Sequence, residues 1–345
     1  MKKNEKNHKK NSKIILPVAA ICSILLICSM LLTSCANDSA NEDISAGRTI
    51  KIAYLPITHA MPLFVLNELA ADSDNFNVEL IRFGSWPDLM DALNGGHVDG
   101  ASVLIQLAMA SKEQGIDLRA TALGHRDGNI VAVANYINSV QDLKGRTIAI
   151  PSPLSTHNVL LNLLLLENGL TASDVVVIQM APTEMVSALA GGSISAYIVA
   201  EPFGASAVTL GVGANFAESG DIWDDSVCCA LVFSYDFIAG NLDILDEFMA
   251  MYHEAGDILQ EGINPITNQI RNISSRHLAI DDDTLELSLN WISFDNLDIR
   301  EEEYGELAYY MVSLGLSQSP PQFDEFVMNS YIADWGCSRV PKKEF

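Results

Sequence analysis

The chain has 345 residues and carries 44 acidic against 20 basic side chains, for a formal net charge of −24. So acidic a surface opposes nucleic acid, whose recognition needs lysine and arginine against phosphate. Of six cysteines, Cys22, Cys28 and Cys35 lie in the leading segment, and the odd remainder, Cys337 with the adjacent Cys228 and Cys229, is no disulfide framework.

The first 35 residues read as an address. Six lysines lie within residues 1–13, an apolar run follows from Ile14 to Leu32, and Leu32-Thr33-Ser34-Cys35 closes it. A basic stretch, an apolar stretch and small residues before a cleavage point describe a secretory signal. The apolar run is long enough to span a membrane. The ending argues otherwise, because Leu-Thr-Ser-Cys resembles a bacterial lipobox whose cysteine is acylated. Residues 1–35 are therefore expected to be a lipoprotein signal peptide with Cys35 as the lipidation site. Residues 36–48 follow as a polar tether, too poor in apolar side chains to bury a core. About 300 residues remain, enough for two units.

The folded part opens with a strand at Ile50 to Tyr54, a turn through Pro56-Ile57-Thr58-His59, and a helix from Ala60. Val78 to Phe83 is a second strand. Ser85-Trp86-Pro87 then leads into a helix, where proline suits the first turn. Gly95-Gly96 ends it, since glycine adopts the left-handed cap at little cost. A strand at Val98 to Ala101, a helix over Val103 to Ala110 and a strand at Leu118 to Leu123 follow, the last ending on the polar turn Gly124-His125-Arg126-Asp127-Gly128. Asn129 to Asn135 reads as a crossing into a second lobe.

That lobe repeats the first. Thr147 to Ile150 is a strand, Ser155-Thr156-His157 a turn, and Asn158 to Leu166 a helix, so Thr-His stands again at a strand-to-helix junction. Val175 to Met180, Pro182 to Ala190 with its Gly191-Gly192 cap, and Ile194 to Val199 restate the next strand, helix and strand. The chain is thus expected to hold two βαβαβ halves. In open α/β sheets ligands gather at the carboxyl ends of strands, where both Thr-His turns fall. Glu201-Pro202-Phe203 ends the last of these strands, and Cys229 to Ser234 reads as the return crossing. Helices then follow at Leu242 to Gly262, Ile266 to Ile273, Asp283 to Ser293, Ile299 to Leu314 and Gln322 to Ala333, expected to pack mostly on the first lobe.

The stretches Ile52-Ala53-Tyr54-Leu55-Pro56-Ile57-Thr58, Ser85-Trp86-Pro87-Asp88-Leu89, Asp142-Leu143-Lys144-Gly145-Arg146-Thr147-Ile148-Ala149-Ile150, Ser155-Thr156-His157-Asn158, Pro182 with Met185, and Glu201-Pro202-Phe203 together resemble one family. It is that of the substrate-binding proteins of ABC importers for nitrate, bicarbonate, sulfonates and taurine, which also includes binders of a thiamine pyrimidine precursor. The resemblance implies an α/β, two-lobed fold of the periplasmic binding protein-like II type, with a hinge of two crossing strands and C-terminal helices. On that pattern residues 49–134 and 235–345 make lobe 1 and residues 135–234 lobe 2. It also implies a monomeric binder rather than an enzyme, held outside the membrane by its lipid and docking on an ABC permease. Nitrate and bicarbonate binders place a Trp and a Thr-His pair beside an oxyanion, an expectation carried to Trp86, Thr156 and His157. Phe203 departs from that branch, which tends to have tryptophan there.

The ligand-binding candidates are Thr58, His59, Ser85, Trp86, His125, Arg126, Ser155, Thr156, His157, Thr183 and Glu201, whose hydroxyls, imidazoles and amides suit a small oxyanion. Several have plainer readings. Thr58 and Thr156 suit helix caps, Trp86 a core plug, and His125 with Arg126 an ion pair to Asp127. Glu201 repels an anion, accepts a hydrogen bond from one, orients His157 or accepts from an amine, which keeps an aromatic amine such as a thiamine pyrimidine precursor, stacked on Trp86 and held by Glu201 or Asp127, as the second ligand class. A pyrimidine-making enzyme on the same fold is the third reading. No catalytic constellation, no cofactor and no metal set is expected: HExxH, GxSxG, a P-loop and paired CxxC are all missing, and His253-Glu254 lacks a second histidine. Cys228 and Cys229 read first as buried thiols.

Overall fold

A computed structural model of the protein describes residues 47–328. Cys35 with its signal segment, Cys337 and the end of the last expected helix lie outside the described residues. In chain order the elements are β1 (Arg48–Tyr54), α1 (Met61–Leu69), β2 (Phe76–Arg82), α2 (Trp86–Asn94), β3 (Gly100–Leu104), α3 (Ile105–Glu113), β4 (Leu118–Leu123), β5 (Arg126–Asp127) and β6 (Asn129–Val133). The second half brings β7 (Thr147–Ile150), α4 (Thr156–Glu167), β8 (Val176–Gln179), α5 (Pro182–Ala190), β9 (Ala196–Ala200), α6 (Phe203–Thr209), β10 (Ala214–Glu218), α7 (Ser219–Ile222) and β11 (Cys229–Ser234). Last come α8 (Tyr235–Gly240), α9 (Leu242–Gly262), α10 (Asn268–His277), α11 (Asp282–Leu289), β12 (Ile292–Ser293), α12 (Glu301–Ser313) and α13 (Phe323–Phe326).

The strands form two five-stranded sheets, ordered β2-β1-β3-β11-β4 and β10-β6-β9-β7-β8. In each, three parallel strands arise from the duplicated βαβαβ unit, and the register repeats: Ile52 faces Gly100 across β1 and β3, and Ile148 faces Ala196 across β7 and β9. An antiparallel strand then lies beside the unit, β11 against β3 and β6 against β9. The inner parallel strands β3, β7 and β9 are buried on both faces, as βαβ crossovers require, while β2 and β8 at the sheet edges are partly exposed. Ile148 and Ile150 face one core with Val159, Leu160 and Ile198, while Ala149 and Tyr197 face the other with Met185, Leu189 and Ala207. The period of two along each strand sorts side chains to these two layers.

Each crossing strand sits one lobe away from its expected place. Asn129–Val133 pairs wholly with β9 and β10 in the second sheet, and Cys229–Ser234 with β3 and β4 in the first. Apolar β-branched runs do not reveal which sheet will take them, so the crossings are the polar segments just before these strands. The helices after β11 also divide. On α9, Leu245, Phe248, Met249, Tyr252, Ala255 and Leu259 recur at helical spacing and are buried, and this face packs on α1. By contrast α11 rests on α6 of the second lobe, with Thr209 and Thr284 hydroxyls 2.8 Å apart. The expected helix at Ile266 starts two residues later because Thr267 caps it, accepting the Ile270 N–H.

Candidate functional site

Both Thr-His turns end up inside the protein, facing one another. Thr58 and His59 leave β1 at its carboxyl end, Thr156 and His157 leave β7 at its own, and all four are fully buried. Thr58 donates its N–H (2.9 Å) and its hydroxyl (3.0 Å) to the Glu201 carbonyl, which links the first lobe to the second. Gln106, at the start of α3, donates from Nε2 to the Thr156 hydroxyl at 2.5 Å, and that hydroxyl donates onward to the Val227 carbonyl.

Between these links lies a cluster of imidazoles and thiols. The His59 and His125 rings stack with centroids 3.4 Å apart. His59 Nε2 sits 2.9 Å from the Gly128 carbonyl, so it carries the proton and donates, and Nδ1 turns its lone pair toward Cys229 Sγ at 3.4 Å. The two adjacent cysteines hold their sulfurs 3.9 Å apart, and Cys228 Sγ donates to Asn129 Oδ1 at 3.6 Å. Cys228 precedes β11, outside the pleat that would send neighbouring side chains to opposite faces. His59, His125, Cys228 and Cys229 place one ligand atom each within 4.8 Å of all the others.

Burial sets the charge state. It pushes His125 and His157 down to about 4, helped in both cases by the nearby His59, so both rings are neutral at pH 7. The Cys229 thiol is pushed up by burial and then by its neighbour Cys228, since two adjacent buried thiolates repel. Burial also lifts the Glu201 carboxyl, to about 8, against hydrogen bonds from the Ala205 and Gly204 N–H groups. Several polar atoms here have no hydrogen-bond partner among the described residues: both ring nitrogens of His157, Gln106 Oε1 and Asn129 Nδ2. Buried polar atoms in native proteins are nearly always partnered, so such a set marks a place for ordered water or a bound molecule to supply the bonds.

Comparison with known proteins adds the family. The sequence pattern of the NMT1-like family matches residues 45–270. The chain belongs to the NMT1-like family. The structure of this NMT1-like chain is similar to that of the ligand-binding component of an ABC-type import system from Staphylococcus aureus, described with zinc bound, at 34% identity, TM-score 0.77, over 82% of this chain and 97% of that one. It also shares its fold with the periplasmic nitrate-binding protein NrtA from Synechocystis, at 19% identity, TM-score 0.69, over 84% and 86% of the two chains. Among curated sequences it is 27% identical over 198 residues to the bicarbonate transport ATP-binding protein CmpC from Synechocystis, covering 51% of this chain. The chain spans only 30% of that relative's length.

Of the residues singled out in the sequence, Thr58, His59, His125, Thr156, His157 and Glu201 converge between the lobes of this NMT1-like protein. The others do not join them. Ser85 and Ser155 are N-caps, accepting the Asp88 and Asn158 N–H groups. Thr183 is exposed on the first turn of α5. Trp86 is buried in the hydrophobic core, with its indole N–H unpartnered among the described residues. Arg126 pairs with Glu303 at 2.5 Å and donates to the Asn296 and Asp298 carbonyls, so its ion pair is not with Asp127 and its charge is used away from the Thr-His turns. Glu201 turns its carboxylate back onto its own chain at Ala205 rather than toward His157. Gln106, Asn129 and the cysteine pair were not chosen from the sequence, which gave no sign that β11 would enter beside the first Thr-His turn. No metal set was expected there either, yet the described residues bring four ligand-type side chains together. No described helix is long and apolar enough to cross a membrane.

Proposed function

We propose that the protein is the extracytoplasmic solute-binding component of an ABC importer, capturing a small solute between its lobes and delivering it to a permease. The observation that carries this is the pairing of interlobe hydrogen bonds, Thr58 to Glu201 and Gln106 to Thr156, with partnerless polar atoms on the same elements. A ligand that satisfies His157, Gln106 and Asn129 together touches groups from both lobes. Its contacts exist in full only in the closed form, which is the differential affinity a hinge needs.

The ligand class we favour is a small oxyanion of the nitrate, bicarbonate, sulfonate or taurine type. Support comes from relatives described as nitrate-binding and bicarbonate-transport proteins, and from a site of neutral donors. The aromatic-amine reading is the second, because the Glu201 carboxyl that would hold an amine accepts the Ala205 N–H, and only Asp127, whose Oδ1 has no partner among the described residues, is left for it. The relatives named above are transport components, which disfavours the pyrimidine-making enzyme. The protein acts as a monomer, held to the outer face of the cell membrane by lipid on Cys35 after removal of the signal segment. Calorimetry of the purified chain against nitrate, bicarbonate, taurine, an alkanesulfonate and an aminopyrimidine tests the ligand class. Heat from an oxyanion or sulfonate alone supports it; heat from the aminopyrimidine alone reverses it.

A further inference from the structure

We infer that His59, His125, Cys228 and Cys229 form a binding site for one borderline or soft transition-metal ion, with zinc(II) as its reference occupant. This goes beyond the solute reading and does not rest on it, since the residues concerned form a set of their own. A tetrahedral zinc ion with nitrogen at ~2.0 Å and sulfur at ~2.3 Å needs its donor atoms roughly 3.3 to 3.8 Å apart. Here His59 Nδ1 lies 3.4 Å from Cys229 Sγ, the sulfurs are 3.9 Å apart, and every pair in the set is within 4.8 Å. Small side-chain movements close the tetrahedron.

The surroundings are those of a ligand set. The Gly128 carbonyl fixes the His59 tautomer so that Nδ1 offers its lone pair, the orientation that outer partners give to metal-bound imidazoles. Two thiolates, two neutral imidazoles and a divalent ion sum to zero charge, which suits a fully buried position where a net charge is costly. On coordination each cysteine forms a metal–sulfur bond and releases its S–H proton to water, and the metal gains and loses no electron. Sulfur and imidazole together select zinc or copper(I) over magnesium or calcium, which take oxygen. Simple packing of buried thiols leaves the cluster unexplained: His125, buried within it, has no partner for Nδ1 among the described residues, and its Nε2 takes only a long 3.4 Å bond from the Cys229 N–H. Four protein ligands make a closed site, so an anion in the cleft meets His157, Thr156 and Gln106 instead of the metal.

Cobalt(II) and zinc(II) test this on the full chain, purified in mild detergent with reductant and stripped by a chelator. One cobalt per chain is expected, with thiolate-to-cobalt charge-transfer absorption and the intense visible bands of a tetrahedral complex, all lost when zinc is added. Cys228→Ser and Cys229→Ser should each lose at least half of the charge-transfer intensity, and His59→Gln should weaken zinc binding at least tenfold. His97→Gln, at an exposed histidine, should change neither. A folded, reduced wild-type chain that gives no charge-transfer band overturns the proposal, however the variants fold. So does a Cys228→Ser/Cys229→Ser chain that still takes one cobalt with unchanged absorption. Anion calorimetry on the same samples separates the two readings: loss of anion binding with the cobalt spectrum intact leaves the metal site standing.

Discussion

Thr58 and Glu201 lie on opposite lobes, and one carbonyl oxygen, that of Glu201, accepts both the N–H and the hydroxyl of Thr58. These bonds join the two lobes. Thr58→Val keeps the side-chain shape and removes one donor. The expected loss is about 0.5–1.5 kcal/mol. On the proposed closure of the lobes over a solute, the loss should appear as up to ~10-fold weaker solute binding, read by calorimetry. Unchanged affinity with a lowered melting temperature would place the bond in the open form as well.

Glu201 itself gives a pH prediction. Its carboxyl is raised from 4.5 to about 8 by burial, so the folded protein holds that proton more tightly than the unfolded chain does. Stability from this group is therefore fully present below about pH 4.5 and is lost as pH rises through about 8. Glu201→Gln keeps the neutral shape and removes the titration. The melting temperature of the wild type, relative to that variant, should fall between pH 5 and pH 9. A constant difference across that range would show the carboxylate to be ionised throughout.

Gly124 holds the first Thr-His turn in place. A Cβ there would stand 2.4 Å from the His59 carbonyl oxygen, so Gly124→Ala must move the turn that presents His59. A destabilisation of about 1–3 kcal/mol is expected, measured by chemical denaturation. Gly84→Ala, where nothing lies within 4 Å of the added carbon, should stay within ~0.5 kcal/mol. Equal effects at the two positions would mean that the His59 backbone yields freely.

Cys35 carries the prediction about attachment. Wild-type cells fed labelled palmitate should incorporate it into the chain, and Cys35→Ala should abolish the label. Label retained in the variant would move the anchor elsewhere.

Much of the fold is written in local pattern. The Gly-Gly caps, the capping Ser85 and Ser155, and the two Thr-His turns repeat along the chain because the βαβαβ unit repeats, and each half needs the same turns at the same places. The crossing strands were harder to assign. Ile130-Val131-Ala132-Val133 and Ala230-Leu231-Val232-Phe233 are apolar on both faces, and nothing local tells such a strand which sheet to join. The site divided along the same line. His59 and His157 were legible from duplication, whereas Gln106, Asn129 and Cys228 reach the cleft through long-range pairing that no spacing records. Arg126 was misplaced for a related reason: its partner Glu303 lies on a helix far along the chain.

The proposed capture of a solute requires the two duplicated elbows to face each other across a gap that shuts. Pulsed electron paramagnetic resonance on a chain with Cys22, Cys28, Cys35 and Cys337 each replaced by serine and labelled at Gly84→Cys and Thr183→Cys tests it most directly, because both positions are exposed, one in the turn after β2 and one on the first turn of α5 after β8, while Cys228 and Cys229 are buried away from the label. The prediction is a broad distance distribution without solute that narrows and shortens when a binding oxyanion is added. One unchanging distance, with and without a solute shown by calorimetry to bind, would contradict it.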